Sequence, residues 1–327
     1  MNTAYEELKK QFRDRIKEHE LLAPYTTYKV GGPADLFFTT ATADEFVEIV
    51  VAVRKLDIPF FILGGGSNIL IGDGGFRGLV IKNNSSGITI RGMKGKVKGD
   101  NKESLVFVEA DSGVPMNKLV RFTIEEGLSG LEMHLGLPGS VGGAVYMNSK
   151  WTKPTGSVGD RLYQATIMTP AGKLKNVNQD YFNFSYGKSS LQRSDDMLVS
   201  VVFALKQENK DMLWQRANDS ITYRRETQPQ GVRTAGCVFK NISSAEALTC
   251  GTPDHATSAG FLLDKSGCKG MKAGGAEVST AHANFIITHQ GAKASDVIKL
   301  IGIMKKNVKQ KFGVTLKEEI QMIGEFT

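Results

Sequence analysis

Apolar residues at Tyr5, Leu8, Phe12 and Ile16 recur at helical spacing with charges on the other face, and they predict an opening helix. Paired glycines and a proline mark a turn at Tyr28-Lys29-Val30-Gly31-Gly32-Pro33. A second helix follows: Thr42 with Glu45 makes a capping box, and Phe46, Ile49, Val50, Val53 and Leu56 form its apolar face. Pro59 closes that unit, and Phe60-Phe61-Ile62-Leu63 predicts a buried strand, giving the first 80 or so residues a β-α-β character. Residues 82–104 are poor in apolar side chains and rich in Gly, Lys and Asn, so they predict an exposed hairpin at a boundary. A strand-like run at 105–110 leads to a helix framed by Pro115 and Gly127 that carries Leu119, Phe122 and Ile124. Leu198-Val199-Ser200-Val201-Val202-Phe203 is the clearest strand. Beyond residue 208 a helix ends before Pro229, and a long amphipathic helix runs from about residue 295 to 312. Val297, Ile301, Met304, Val308 and Phe312 form its core face, Gly313 stops it, and residues 316–323 predict a final strand.

Length and composition narrow the class. The 327 residues suggest two domains at about 150 residues each. Apolar content of 41% and charged content of 23% exclude wholesale disorder. Glycine is in excess, and with no collagen-like period it must sit at tight turns or where backbone approaches a ligand. A net charge of +7 favours anionic partners without choosing among nucleic acid, anionic lipid and a phosphorylated small molecule. Cys237, Cys250 and Cys268 form no C-x-x-C pair, and an odd count argues against a disulfide scaffold. The charged N-terminal segment has no apolar core like a signal peptide, and no apolar run approaches the length of a spanning helix. These features lead us to expect a soluble protein of a reducing compartment. The histidines show no metal-binding spacing, so no metal is expected. Arg91, Lys94, Lys96, Lys98 and Lys102 lack interleaved aromatics, so they read as a solvated hairpin rather than a nucleic-acid surface.

Candidate chemistry concentrates in two glycine segments. Gly64-Gly65-Gly66-Ser67-Asn68 directly follows a predicted strand, where successive N–H groups can converge on a phosphate. It has neither Rossmann nor Walker spacing, so alone it is equally a structural turn. Gly136-Leu137-Pro138-Gly139-Ser140-Val141-Gly142-Gly143-Ala144 is the second, with four glycines and a serine in nine residues. Two such nests in one chain suit a long diphosphate ligand.

Three runs then resemble one family: Thr27-Tyr28-Lys29-Val30-Gly31-Gly32-Pro33-Ala34, the Gly-Gly-Gly-Ser-Asn turn, and residues 137–148 ending in Val145-Tyr146-Met147-Asn148. The likeness continues through Ala235-Gly236-Cys237-Val238-Phe239-Lys240-Asn241, Ser258-Ala259-Gly260, residues 274–279 and His282-Ala283-Asn284-Phe285. It ends at Leu316-Lys317-Glu318-Glu319-Ile320 with Ile323-Gly324. The chain resembles the MurB-type flavoenzymes, the UDP-N-acetylenolpyruvoylglucosamine reductases of peptidoglycan precursor synthesis, in their compact branch. The resemblance implies an α+β fold: a two-lobed FAD-binding domain of the vanillyl-alcohol-oxidase (PCMH) type over 1–207, with lobes of about 1–84 and 85–207. A C-terminal α/β substrate domain over 208–327 completes it.

It further implies NADPH-dependent reduction of UDP-N-acetylglucosamine enolpyruvate to UDP-N-acetylmuramate through FAD. The setting it implies is a cytoplasmic enzyme of cell-wall biogenesis, cell shape and cell division. Its partner would be the UDP-sugar, with no nucleic acid, membrane or obligate protein partner. Cofactor contacts are implied at Gly64, Gly65, Gly66, Ser67, Asn68, Gly113, Pro138, Gly139, Ser140, Gly142 and Gly143. Neither glycine segment holds a His or Cys for a covalent flavin link. Substrate contacts are implied at Tyr186, Lys188, Arg224, Lys240, Asn241 and His282. The proton donor, usually serine, is Cys237 here, and a free thiol ionises near 8.5, far below an alcohol. Glu319 matches the glutamate that polarises the enolpyruvyl carboxylate end, beside Glu318 where the pattern usually has proline. Gly187 stands where the pattern has a catalytic arginine, and its loss removes a bidentate carboxylate clamp. Two other readings stay open: a related FAD-linked oxidoreductase with another substrate, and a catalytically impaired flavin or UDP-sugar binder.

Overall fold

The computed structural model describes residues 3–98, 101–152 and 155–326. The chain forms two compact units that interleave in sequence. The first comprises residues up to Ile16, Phe38–Gly65 and Val80–Arg224, and the second Lys17–Phe37, Gly66–Leu79 and residues from Arg225 onward. The expected single cut near 208 thus meets two earlier segments that pack with the C-terminal part. Two strands, Pro33–Thr40 and Phe76–Asn83, each begin in the second unit and end in the first.

The first unit is organised on an antiparallel sheet in the order Leu174–Asn178, Leu162–Met168, Met197–Gln207, Asn101–Asp111, Ile88–Lys98. The last two strands form the expected hairpin; residues 99 and 100 at its tip, and the side chains of Lys96, Lys98 and Lys102, lie outside the described set. Alternation sets the faces. Val106, Val108 and Ala110 point inward with Val201, Phe203 and Leu205, while Tyr163 stands exposed on the other side. Helices Met116–Glu125, Val141–Tyr146 and Lys210–Thr227 bury Leu119, Ile124, Val141, Val145, Leu213 and Ala217 against that inner face. The helix Ala43–Lys55 starts at its predicted cap, with Thr42 Oγ1 accepting from the Glu45 N–H at 3.2 Å, but the Glu45 carboxylate accepts from the Ala41 N–H at 2.7 Å, one residue before the reciprocal bond of a full box.

The second unit buries Val297, Ile301, Met304 and Val308 of the helix Ala294–Phe312 against the helix Ala259–Lys265 and three short antiparallel strands, Lys272–Ala273, Ala276–Val278 and Ile286–Thr288. Gly313, at φ 70°, ends the long helix. At its start the Asp73 carboxylate accepts from the N–H groups of Ala294 and Ser295 at 2.7 and 3.0 Å. Burial alone would raise the Asp73 pKa, but these bonds hold it below its ordinary value.

Four local expectations need correction. The opening helix spans Thr3–Phe12, because Arg13 at φ 52° breaks it before Ile16. In Phe60–Leu63 only Leu63 is fully buried. Phe312 is half-buried. The predicted strand at 316–323 reduces to Gln321–Ile323, which runs parallel to Ile69–Ile71. Residues 317–319 instead make one isolated bridge to Val238–Lys240, since the chain changes partners between the two stretches.

Candidate cofactor cradle and proton-donor segment

The two glycine segments meet inside the first unit. A Cβ on Gly65 would lie 2.5 Å from Gly139 Cα, and one on Gly64 would lie 2.5 Å from Ser140 Oγ, so a side chain fits at neither glycine and at Gly65 backbone packs on backbone. Among the described residues the N–H groups of Gly64, Gly65 and Ser140 have no hydrogen-bond partner. Bare amides converging at one junction fit the diphosphate of a dinucleotide cofactor. Lys82 donates from Nζ to the Gly64 carbonyl, and burial lowers its pKa.

A buried polar network supports the junction. Asn83 Oδ1 accepts from Thr40 Oγ1 at 3.2 Å and from the Ser85 N–H at 3.0 Å, while its Nδ2 donates to Ser112 Oγ at 2.9 Å. Ser85 Oγ accepts from the Gly113 N–H at 3.2 Å, and a Cβ on Gly113 would meet Asn83 and Ser85 at 2.6 Å. A Cβ on Gly142 would lie 2.9 Å from the Ser112 carbonyl oxygen, which accepts from the Gly142 N–H at 2.7 Å. The 136–144 segment is therefore only half a turn. Ser140 caps the short helix Val141–Tyr146 by accepting from the Gly143 N–H at 3.3 Å. Gly143 itself is exposed, and a Cβ there would meet only Ser140 Oγ, at 3.7 Å. Pro138 is exposed.

The glycine turn continues into the second unit. Gly66 adopts φ 63°, and a Cβ there would meet the Tyr25 carbonyl at 2.1 Å. Ser67 is half-buried. Asn68 is committed elsewhere, since its Nδ2 donates to the Glu319 carbonyl at 3.2 Å and its own carbonyl accepts from the Gln321 N–H at 2.9 Å.

Within the second unit Cys237, Lys240 and Glu319 lie on paired backbone. The Glu319 N–H donates to the Val238 carbonyl at 2.7 Å, and the Lys240 N–H donates to the Lys317 carbonyl at 2.9 Å. Cys237 bridges Phe285 on the other side. Side-chain alternation separates the two glutamates. Glu318 pairs with Lys305 Nζ at 2.7 Å, whereas burial pushes Glu319 up to about 6 against the opposing pull of Lys240. A carboxyl so tuned is partly protonated near neutrality. Asn284 accepts from the Phe239 N–H at 2.9 Å and donates to its carbonyl at 2.8 Å, fixing the Cys237 strand. His282 Nδ1 accepts from the Asn284 N–H at 3.2 Å, and burial lowers its pKa. Asn241 Oδ1 accepts from the Ala259 N–H at 3.0 Å, at the start of the helix Ala259–Lys265.

The remaining first-unit residues fall into two places. Tyr186 and Gly187 form a tight turn closed by reciprocal bonds between Ser185 and Lys188, both at 3.1 Å. Gly187 adopts φ 62°, which disfavours an arginine. Lys188 and Tyr186 are exposed, with Lys150 Nζ 5.4 Å from the Tyr186 ring centroid. Asn148 holds this turn by donating to the Ser185 carbonyl at 3.2 Å. Arg224 places its guanidinium 4.5 Å from the Trp151 ring centroid. Burial, reinforced by the Arg224 charge, pushes His134 down to about 4.

Lys82, Asn284 and Trp151 escaped the sequence reading. Asn284 sits in a quoted run and Asn83 lies next to Lys82, but their roles depend on contacts with residues far away in the chain. Among the described residues no His, Cys, Asp and Glu cluster could hold a metal ion, and no helix is long and apolar enough to cross a membrane.

Comparison with known proteins adds independent findings. Residues 34–178 match the FAD binding domain family, and residues 228–323 match the UDP-N-acetylenolpyruvoylglucosamine reductase C-terminal domain. The chain is 33% identical over 311 residues to a UDP-N-acetylenolpyruvoylglucosamine reductase of Halalkalibacterium halodurans, covering 95% of each. It is 33% identical to the enzyme of that name from Bacillus subtilis, covering 99% of each. The crystal structure of UDP-N-acetylenolpyruvylglucosamine reductase from Thermus caldophilus is similar with a TM-score of 0.74 at 30% identity, over 94% of this chain and 99% of that one.

Proposed function

Because the chain belongs to the UDP-N-acetylenolpyruvoylglucosamine reductase family, we propose that it reduces the enolpyruvyl ether of UDP-N-acetylglucosamine to UDP-N-acetylmuramate. FAD is its cofactor and NADPH its reductant. The observation that carries the cofactor part is the junction where Gly64 and Gly65 meet Gly139 and Ser140 with no room for a Cβ on either glycine. There the free amides would hold the diphosphate, with Lys82 adding positive charge. Bound FAD supplies the hydride chemistry.

The protein's own task is then to manage charge and a proton. Cys237 gives its Sγ–H proton to the substrate carbon opposite the hydride. Glu319, raised to about 6 by burial, donates a hydrogen bond to the enolpyruvyl carboxylate, while Lys240 offsets the developing negative charge. In the first unit Tyr186, Lys188 and Arg224 serve as substrate contacts, with Lys188 replacing part of the charge that an arginine would bring at Gly187. In the second unit Lys240, Asn241 and His282 do so. Functionally, cofactor binding is assigned to the region up to 207 and substrate binding to 208–327, a division supported by the two matched families. The finer reading is a cytoplasmic step of peptidoglycan precursor synthesis, serving cell shape and division, with no obligate macromolecular partner.

One observation favours a second reading, a flavin and UDP-sugar binder without turnover: the left-handed turn at Gly187. Purified protein is expected to be yellow and to oxidise NADPH only when the UDP-enolpyruvyl sugar is present. Tight binding of that sugar without NADPH oxidation would support the second reading. Protein that stays colourless after incubation with FAD would overturn both.

A further inference from the structure

Lys82 lies near the end of the strand Phe76–Asn83, which pairs with Phe60–Leu63, the strand that runs into Gly64. This pairing brings its side chain to the glycine turn. Its Nζ donates to the Gly64 carbonyl, and among the described residues no other donor reaches that oxygen. The ammonium is half-buried, and among the described residues no carboxylate pairs with it. Burial with no acid beside it lowers its pKa. A cation so placed is costly, and one backbone carbonyl offsets only part of the loss. Methionine would fill similar space without that cost, so the charge calls for an explanation.

The Gly64 carbonyl and the Gly65 N–H belong to one peptide, and in a trans peptide they point to opposite sides. Fixing the oxygen therefore fixes the N–H. Glycine on both sides would otherwise leave this peptide free to turn. The Gly65 N–H is one of the bare amides of the junction, and the Gly65 backbone is already packed against Gly139. A charge-assisted hydrogen bond at the carbonyl also polarises the peptide and makes its N–H a stronger donor.

We propose that Lys82 is a positioning residue for the cofactor's diphosphate: from behind the Gly64–Gly65 peptide it aims and polarises the Gly65 N–H, rather than pairing with a phosphate itself. The inference rests on the reading of the junction as the FAD site. The cation stands on the carbonyl side of the peptide and the anion is received on the N–H side. The diphosphate then supplies, through that peptide, the counter-charge that Lys82 lacks among the described residues.

The test takes two measurements on wild type, Lys82→Met and Lys82→Arg, each loaded with FAD. One is the rate of flavin release on dilution, followed by the rise in flavin fluorescence. The other is the nuclear magnetic resonance signal linking the Gly64 carbonyl to the Gly65 amide. With isotopically labelled glycine only glycine–glycine peptides report, and Gly274–Gly275 in the second unit serves as reference. Lys82→Met should release flavin about tenfold faster, and Lys82→Arg, which keeps a charged donor, should stay within about threefold of wild type. The Gly64–Gly65 signal should move in Lys82→Met and largely return in Lys82→Arg, with Gly274–Gly275 unmoved in both. Unchanged flavin release by Lys82→Met would overturn the proposal. Faster release with an unmoved Gly64–Gly65 signal would overturn it too, because Lys82 would then act as a charge through space. A Lys82→Met chain that does not fold would do the same, since the ammonium would be structural. Wild type that holds no FAD would instead remove the cofactor reading, and the proposal with it.

Discussion

The glycine junction of the first unit and the Cys237–Glu319 region of the second are built on opposite principles. At the junction, the proposed cofactor site is made by side chains that are missing: Gly64, Gly65, Gly113 and Gly142 leave no room for a Cβ, and among the described residues the Gly64, Gly65 and Ser140 N–H groups have no hydrogen-bond partner. In the second unit the proposed site is made of side chains that are present, with burial holding Glu319 near 6 while adjacent Glu318 pairs with Lys305. A site made of absences is specified by residue identity alone. A site made by burial depends on everything that packs over it.

The largest break in this contrast is expected from Gly65→Val. Its side chain would collide with Gly139 backbone, so flavin retention should fall by more than about 100-fold, read as flavin absorbance per protein after desalting. Gly143→Ala sharpens the point. The position is exposed and helical, so the flavin-free protein should gain about 0.5–1 kcal/mol, while flavin affinity falls if the cofactor occupies that open space.

Glu319→Gln tests the other principle. The folded-state pKa is raised, so wild type carries a penalty above about pH 6 that vanishes as pH falls below the unfolded value of 4.5. The variant should be about 2 kcal/mol more stable than wild type at pH 8 in urea unfolding, with the gap closing below pH 4.5, and should turn over more slowly. Gly187→Arg should cost about 1–2 kcal/mol, since φ 62° is unfavourable for a residue with a Cβ. Lys305→Ala should be the smallest change, at most about 1 kcal/mol, because the Lys305–Glu318 pair is partly solvated.

The same division explains what could be read from the chain. The N-cap at Thr42, the stop at Gly313 and the strand around Val201 are local patterns, and all three appear in the structure. The glycine segments were legible as places where backbone must approach closely, because glycine has few other uses there. Their direct contact was not, since Gly65 and Gly139 are far apart in sequence. Nor does any local signal show that Lys17–Phe37 and Gly66–Leu79 pack with the C-terminal part. Residues 316–323 read as one strand, yet the chain switches partners from Val238–Lys240 to Asn68 within a few residues. Glu318 and Glu319 are both half-buried and differ in their surroundings, a Lys305 partner for Glu318 and desolvation opposed only by Lys240 for Glu319, which two identical neighbours cannot announce.

Stopped-flow kinetics of Cys237→Ala, with flavin bound, addresses the division of labour most directly. Bleaching of the flavin by NADPH should proceed at the wild-type rate, and its reoxidation by the UDP-enolpyruvyl sugar should slow by about 10²–10⁴-fold. Reoxidation at the wild-type rate would contradict the assignment of proton delivery to this thiol.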